Sequence, residues 1–311
     1  RRLAVFVGGF TIDAATAVAG DPGSDAFDGI ATLLEQSLLR RYETRHGLQR
    51  FAMLETIREC ALEELVASGE EPAIRRRHAD WCIALAAELH QWSQYECPKM
   101  IDWLHRVDAD HPNIRAALQW LDQTGDGVGM IALAGPVSKY WYEYSCFAEG
   151  IAWLDRARRY DHPKVDQPLR LELVIGLALL LDRHGQNERA EEFYVERLAL
   201  ARACGNDYDL ARALHSTGTR LVNLGRYDEG VPYVEQAMAI LHALGNQSRV
   251  NLGSYLLAVA DYAQGDLQQS FDRIQQVVAF RRQGGEAIGL AVALDLAALL
   301  SSRVCHDLIN P

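Results

Sequence analysis

Apolar residues in the second half of the chain recur at i, i+3 and i+4, in text rich in Ala, Leu, Arg and Glu. Sliding the chain against itself by forty residues brings four segments into register: Tyr144–Gly150, His184–Ala190, Leu224–Gly230 and Gln264–Ser270. Gly185, Gly225 and Gly265 fall one period apart, where helix-ending turns place glycine. A second turn recurs at the same interval, in Cys204-Gly-Asn206, Leu244-Gly-Asn246 and Gly284-Gly-Glu286. Two turns per period leave two helices of about four turns each.

The residues that stay small across the periods say how those helices meet. One site in each first helix reads Ser138, Ala178, Gly218, Ala258, Ala298; one site in each second helix reads Gly150, Ala190, Gly230, Ser270. Antiparallel helices approach closely only where crossing side chains are small, so these sites mark the contact within each pair. Larger apolar residues flank them: Leu214 and Leu221, then Tyr227, Val234 and Ala237.

The segment Leu214-x-x-Thr217-Gly218-x-x-Leu221, followed by Gly230-x-x-x-Val234-x-x-Ala237, resembles the tetratricopeptide signature. The resemblance covers about residues 131–304. It departs in period, 40 rather than ~34, in Arg197 where a small residue belongs, and in Asp261 where an aromatic belongs. HEAT-type pairs share a period of ~40–47; the small-residue sites favour the tetratricopeptide reading.

The first 130 residues read differently. Thr11 caps a helix over Ile12–Ala19, and Ser24 precedes another over about 25–36. The β-prone segments 37–43 and 49–54 are joined by Thr44-Arg-His-Gly47, a hairpin signal, and a helix follows over Glu55–Ala67. Two helices, a hairpin and a helix outline a winged helix. Between 72 and 125 the pattern predicts two or three helices, the last capped by Asp110 or His111 with Pro112 in its first turn. Trp81, Trp92 and Trp103 lie eleven residues apart, about three turns, which puts Trp81 and Trp92 on one face. The expected architecture is therefore mostly α: a winged helix over 1–70, a helical connector over 71–130, and a tetratricopeptide-like α-solenoid of period 40 over 131–311.

The phrases RRLAVFVGGFTIDAA, LLEQSLLRRYE, RFAMLETIRECALEEL, RRRHADWCIALA and HPNIRAALQWL resemble large bacterial regulators of the STAND class, the MalT-like and AfsR-like "predicted ATPase" regulators with LuxR-type members. The resemblance implies a nucleotide-binding module before the winged helix, a helical-repeat sensor after it, and a DNA-binding domain at one terminus. This chain departs from that pattern in lacking the P-loop and magnesium-binding segments. A histidine that senses nucleotide in many relatives is also missing, the run at Met53–Glu55 being Met-Leu-Glu. ATP and magnesium would belong to the parent's missing module, no cofactor to this stretch, and no enzymatic activity is expected of it.

Composition narrows the classes. The chain has 311 residues, 31 basic and 42 acidic, for a net charge of −11, with 49% hydrophobic and 23% charged residues, an ordinary globular balance. Only three lysines occur, at 99, 139 and 164, and none follows glycine, so a Gly-Lys phosphate loop is absent. The six cysteines, at 60, 82, 97, 146, 204 and 305, form no C-x-x-C pair and read as reduced thiols. No membrane span or signal peptide is seen, which points to the cytoplasm. The chain opens without an initiator Met and reads as a piece of a longer one.

Candidate chemistry is sparse. His105-Arg-Val-Asp108-Ala-Asp110-His111 holds metal-capable types but reads as a solvated helix end with a capping Asp. Gly125-Asp-Gly127-Val-Gly129 reads as an inter-helix turn, and His162-Pro163 with the Asp166–Pro168 run as a connection. The hairpin arginines Arg40, Arg41, Arg45 and Arg50 are locally basic and fit either DNA phosphates or an intramolecular contact. The best site is the concave face of the repeats, lined by first helices. There the expected groove residues are Lys139, Tyr142, Glu143, Asp182, Arg183, His215, Asn223, Tyr255 and Tyr262. Charged, polar and aromatic groups on one face suit a small-molecule or peptide effector, or a partner protein. A second expected partner, by resemblance, is the nucleotide-binding module of the same chain.

Overall fold

The computed structural model describes residues 1–20, 26–92, 98–161, 165–284, 290–291, 293–298 and 300. The chain divides into two compact units, Arg1–Phe193 and Tyr194–Pro311, the division falling within one helix.

The first unit opens with a 3-10 turn, Arg2–Val5, and helix α1, Ile12–Ala19, whose N-cap Thr11 accepts from the Ala14 amide as its sequence predicts. Helix α2 covers Phe27–Glu35; the expected cap at Ser24 lies outside the described residues. Strands β1, Arg40–Glu43, and β2, Gln49–Ala52, pair antiparallel with Tyr42 opposite Arg50, and Phe10 bridges to Phe51 on the other side. Gly47 turns the hairpin at φ +79°. Helix α3 then covers Glu55–Ala67. Phe6, Phe10, Ala14, Val18, Ile30, Phe51 and Leu65 form the core of this winged helix, and Ile74 and Trp81 of the next helix seal it. The Trp92 side chain, expected on the face of Trp81, lies outside the described residues.

Between winged helix and repeats stand two long helices, α4, Glu71–Trp92, and α5, Pro98–Thr124. The expected helix start at Asp110 or His111 does not occur: α5 runs on through Pro112. Proline removes one ladder bond, but here the surroundings hold the helix together. The Pro112 ring packs against Gly8, where an added Cβ would lie 2.9 Å from Pro112 Cγ. Asp110 and Asn113, far from solvating an end, are buried.

The forty-residue period is realised as helix pairs: α6, Gly127–Glu143, packs with α7, Phe147–Arg158, and α8, Gln167–Arg183, is followed in the chain by α9, Asn187–Cys204. In the second unit α10, Asp207–Asn223, pairs with α11, Tyr227–Ala243, and α12, Gln247–Gln264, with α13, Leu267–Gly284. Residues 293–298 are helical again, and Ala293, Ala297 and Leu300 are buried against Ile274 and Val277. The turn glycines are left-handed at φ +80° (185), +76° (225) and +92° (265), with Gly205 and Gly245 likewise; the corresponding turn at 284–286 lies largely outside the described residues.

The small sites meet where their pattern places them in the second unit. A Cβ on Gly218 would lie 3.0 Å from the Gly230 carbonyl, and Ser270 Oγ donates to the Ala258 carbonyl at 2.7 Å. The first unit keeps this register, Gly150 lying against Trp141 as Gly230 lies against Leu221 two periods on, and Ser138 also presses on Gly176 of the neighbouring first helix. The two departures from the repeat signature are absorbed by polar pairing: buried Arg197 donates to Ser216 Oγ at 2.6 Å, and Asp261 pairs with Arg273 at 2.8 Å.

Candidate functional site

The hairpin arginines separate into two kinds. Arg50, on β2, is buried: its guanidinium chelates Asp110 of α5 at 2.9 and 2.5 Å and donates to the Gly9 carbonyl at 2.8 Å. Burial works against the charge on Arg50, and hydrogen bonding to Asp110 outweighs it, raising the pKa. As a residue free to reach DNA phosphates, Arg50 is therefore excluded by its burial. Asn113 extends this cluster, donating to Asp110 at 2.8 Å and to the Gly9 carbonyl at 2.9 Å. Its Oδ1 accepts from the Val7 and Gly8 amides at 2.8 and 3.2 Å. Tyr42 Oη donates to the Gly8 carbonyl at 2.9 Å. The cluster docks the winged helix on α5.

Arg45, at the hairpin tip, pairs with Asp108 at 2.8 Å, donates to His46 Nε2 at 2.9 Å, and lies 5.8 Å from the Tyr144 ring. His46 stacks on His105 with centroids 3.6 Å apart. Partial desolvation, then His105 and Arg45, lowers the His46 pKa, so the ring serves as a neutral acceptor. Asp108 also accepts from Tyr140 Oη at 3.1 Å, which ties the same carboxylate to α6. Arg41 is exposed and bonds Gln49 Oε1 at 2.7 Å, and Arg40 is exposed. Helix α2, the second helix of the helix-turn-helix, reads Phe-Asp-Gly-Ile-Ala-Thr-Leu-Leu-Glu and carries no basic residue. The run His105–His111 is thus a docking face rather than a solvated end. Among the described residues, no three His, Cys, Asp or Glu side chains gather as a metal site.

On the repeat surface of the first unit, Tyr142 is the meeting point. Lys139 Nζ lies 5.4 Å and Arg183 Cζ 5.2 Å from its ring centroid, and Arg183 Nε donates to its hydroxyl at 3.1 Å. Lys139 pairs with Glu143 one turn on, and Asp182 is half-buried beside Arg183 in sequence. The structure joins four of the five expected groove residues of this unit in one chain of contacts: Glu143, Lys139, Tyr142 and Arg183.

In the second unit Asn223 is exposed at the end of α10, whereas Tyr255 and Tyr262 are half-buried packing residues around Ala258 and Ile274. Arg281 covers the Tyr255 ring at 5.5 Å. His215 is buried; desolvation, then Arg249 and Arg197, lowers its pKa to about 4. Sequence reasoning misses Tyr208, Arg212 and Arg249, which surround this histidine's helix face, because a tyrosine–arginine spacing of 41 residues shows only once the period is laid out as helices. An open depression of about 870 Å³ at the α12–α13 turn, lined by Gly265, Asp266, Gln269, Asp272 and Arg273 among others, contains none of the expected groove residues.

Comparison with known proteins places these elements. Residues 1–66 match the winged helix-turn-helix domain. A putative HTH-type transcriptional regulator of Mycobacterium tuberculosis is 28% identical over 257 residues, 79% of this chain and 28% of the relative. The chain thus spans little more than a quarter of the curated relatives it matches. Among solved structures, a STAND protein with a tetratricopeptide repeat sensor from Pyrococcus horikoshii aligns with a TM-score of 0.53 at 12% identity, over 96% of this chain and 52% of that one. Aspartyl phosphate phosphatase F from Bacillus subtilis aligns with a TM-score of 0.57 at 16% identity, over 80% and 63%. At such identities the likeness is one of fold. No helix among the described residues is long and apolar enough to cross a membrane. The chain is a homologue of putative HTH-type transcriptional regulators, with a winged helix-turn-helix domain at residues 1–66 followed by helical repeats of the tetratricopeptide type.

Proposed function

We propose that this chain is the sensor and regulatory region of an ATP-dependent transcriptional regulator of the STAND class, acting in the cytoplasm. The observation that supports it is α5: one helix holds the winged helix through Asp108, Asp110 and Asn113, and the first repeat pair through Asp108 to Tyr140 and Arg115 to Glu149. An effector, or a partner protein, bound by the repeats biases one arrangement of that assembly and shifts the population of states of the parent. The winged helix relays the change to a nucleotide-binding module, which supplies ATP and magnesium chemistry elsewhere in the parent. The chain itself performs no catalysis.

Two further readings make different predictions. A pure protein-interaction scaffold binds proteins and no metabolite. DNA contact through the hairpin has only Arg40 and Arg41 at its disposal, since Arg45 and Arg50 are engaged by Asp108 and Asp110 and α2 is acidic. A thermal-shift panel of metabolites and peptides separates sensor from scaffold. A stabilising compound whose effect disappears on Asp182→Lys and Arg183→Glu, with the fold retained, supports the sensor. No shift from any compound, with protein partners captured, supports the scaffold. A gel shift at low salt, with Arg40→Glu and Arg41→Glu as the control, tests DNA contact; absence of a complex discards it.

A further inference from the structure

On α10, Tyr208, Arg212, His215 and Thr219 follow one another at i, i+4, i+7 and i+11, and so share one helix face. Arg249 of α12 stands over the same tyrosine: its guanidinium carbon is 5.8 Å, and that of Arg212 5.9 Å, from the Tyr208 ring centroid. One phenol ring therefore carries two guanidinium groups. Arg212 leans toward Asp209 at 3.9 Å, beyond hydrogen-bond reach. Arg249 is half-buried, and among the described residues no carboxylate pairs with it.

The buried imidazole on this face is left incomplete. Thr219 commits its hydroxyl proton to the His215 carbonyl at 2.8 Å, so its oxygen, 3.4 Å from His215 Nδ1, is available only as an acceptor. That leaves Nε2 as the unprotonated nitrogen, and it is buried with no hydrogen-bond partner. Native folds rarely leave such an atom without a reason. The charged groups whose field reaches the ring are Arg249 from α12 and Arg197 from α9, both positive. Positive charge is gathered around an unfilled hydrogen-bonding position.

We propose that this face, centred on His215 and Arg249, binds the oxyanion group of the effector, a carboxylate or a phosphoryl group. Arg249 clamps the anion. His215 takes one proton from solvent at Nε2 and donates it in a hydrogen bond to the anion, while Nδ1–H continues to donate to Thr219. The inference rests on the sensor reading and names the chemistry of its ligand.

The test uses the whole chain with two probes, sulfate in place of a phosphoryl group, because its charge is constant from pH 6 to 8, and succinate for a carboxylate. Binding is followed by calorimetry at pH 6.5 and 7.5, and the His215 ring proton by NMR. At least one probe is expected to bind, more tightly at pH 6.5, with proton uptake and a raised His215 pKa. Sulfate alone identifies a phosphoryl ligand, succinate alone a carboxylate. Arg249→Gln is expected to weaken binding about tenfold, and His215→Gln to abolish the pH dependence. Should either variant misfold, the wild-type NMR titration decides. Binding of neither probe, binding unchanged in Arg249→Gln, or an unmoved His215 resonance overturns the proposal. A neutral compound that stabilises the chain through Arg183 while both anions fail would leave the sensor reading standing and remove only this one.

Discussion

Arg50 and Asp110, sixty residues apart, form a bidentate ion pair with Nη1–Oδ2 at 2.9 Å and Nη2–Oδ1 at 2.5 Å, both side chains being almost wholly excluded from water. Buried pairs stabilise little relative to apolar replacements, but removing one partner strands the other. Asp110→Ala is expected to cost about 3–5 kcal/mol. The double variant Arg50→Met with Asp110→Leu is expected to recover most of that loss. Urea unfolding of the two proteins checks both statements; equal destabilisation would show that the charge is not what is being stranded.

Ser145 is left-handed at φ +57°, one period before Gly185 at +80°. The turn geometry is the same, but at Ser145 a Cβ opposes it. Ser145→Gly is expected to raise stability by about 1 kcal/mol, seen as a higher thermal midpoint. A fall in midpoint would mean that this turn is held by its serine rather than by its place in the repeat.

Two glycines in helices predict opposite outcomes for the same substitution. A Cβ at Gly218 would sit 2.6 Å from Val234 Cγ2 and 3.0 Å from the Gly230 carbonyl, so Gly218→Ala is expected to destabilise by about 1–3 kcal/mol. Gly29 in α2 has nothing within 4 Å, and Gly29→Ala is expected to stabilise by about 0.5–1 kcal/mol. Denaturant midpoints of the two variants should move in opposite directions.

His78 and His215 are both kept neutral, with pKa values near 4: burial acts first, then Arg75 on the former and Arg249 with Arg197 on the latter. An unfolded histidine begins to protonate near 6.5. The unfolded chain therefore takes up protons first, and stability that is full above pH 6.5 is lost as pH falls toward 4. By pH 5 each histidine is expected to cost about 2 kcal/mol. Urea midpoints at pH 7 and pH 5 measure the slope, which His78→Gln should flatten.

The period is legible in the sequence because turn glycines and small crossing residues are local demands, repeated at Gly185, Gly225 and Gly265 and again at Gly218 and Gly230. Thr11 and the start of α3 are legible for the same reason. What stays hidden is what depends on distant partners. Asp110 and Pro112 carry the local signature of a helix start, yet Arg50, Gly9 and Gly8 bury them within one. Arg50 reads like its exposed neighbours, since strand alternation alone does not say which face meets α5. The period places Tyr142 beside Arg183, but it gives no warning that Tyr255 serves mainly as packing under Arg281.

The winged helix ends by sequence near residue 66, but its wiring does not. The backbone of residues 7–9 is completed by Asn113, the charge of Arg50 by Asp110, and the hairpin tip by Asp108. A fragment cut after α3 would carry a cation without its carboxylate and two unmet backbone amides, those of Val7 and Gly8. The winged helix is therefore not a detachable reading head, and any fragment meant to isolate it must carry α4 and α5 as part of the same folding unit.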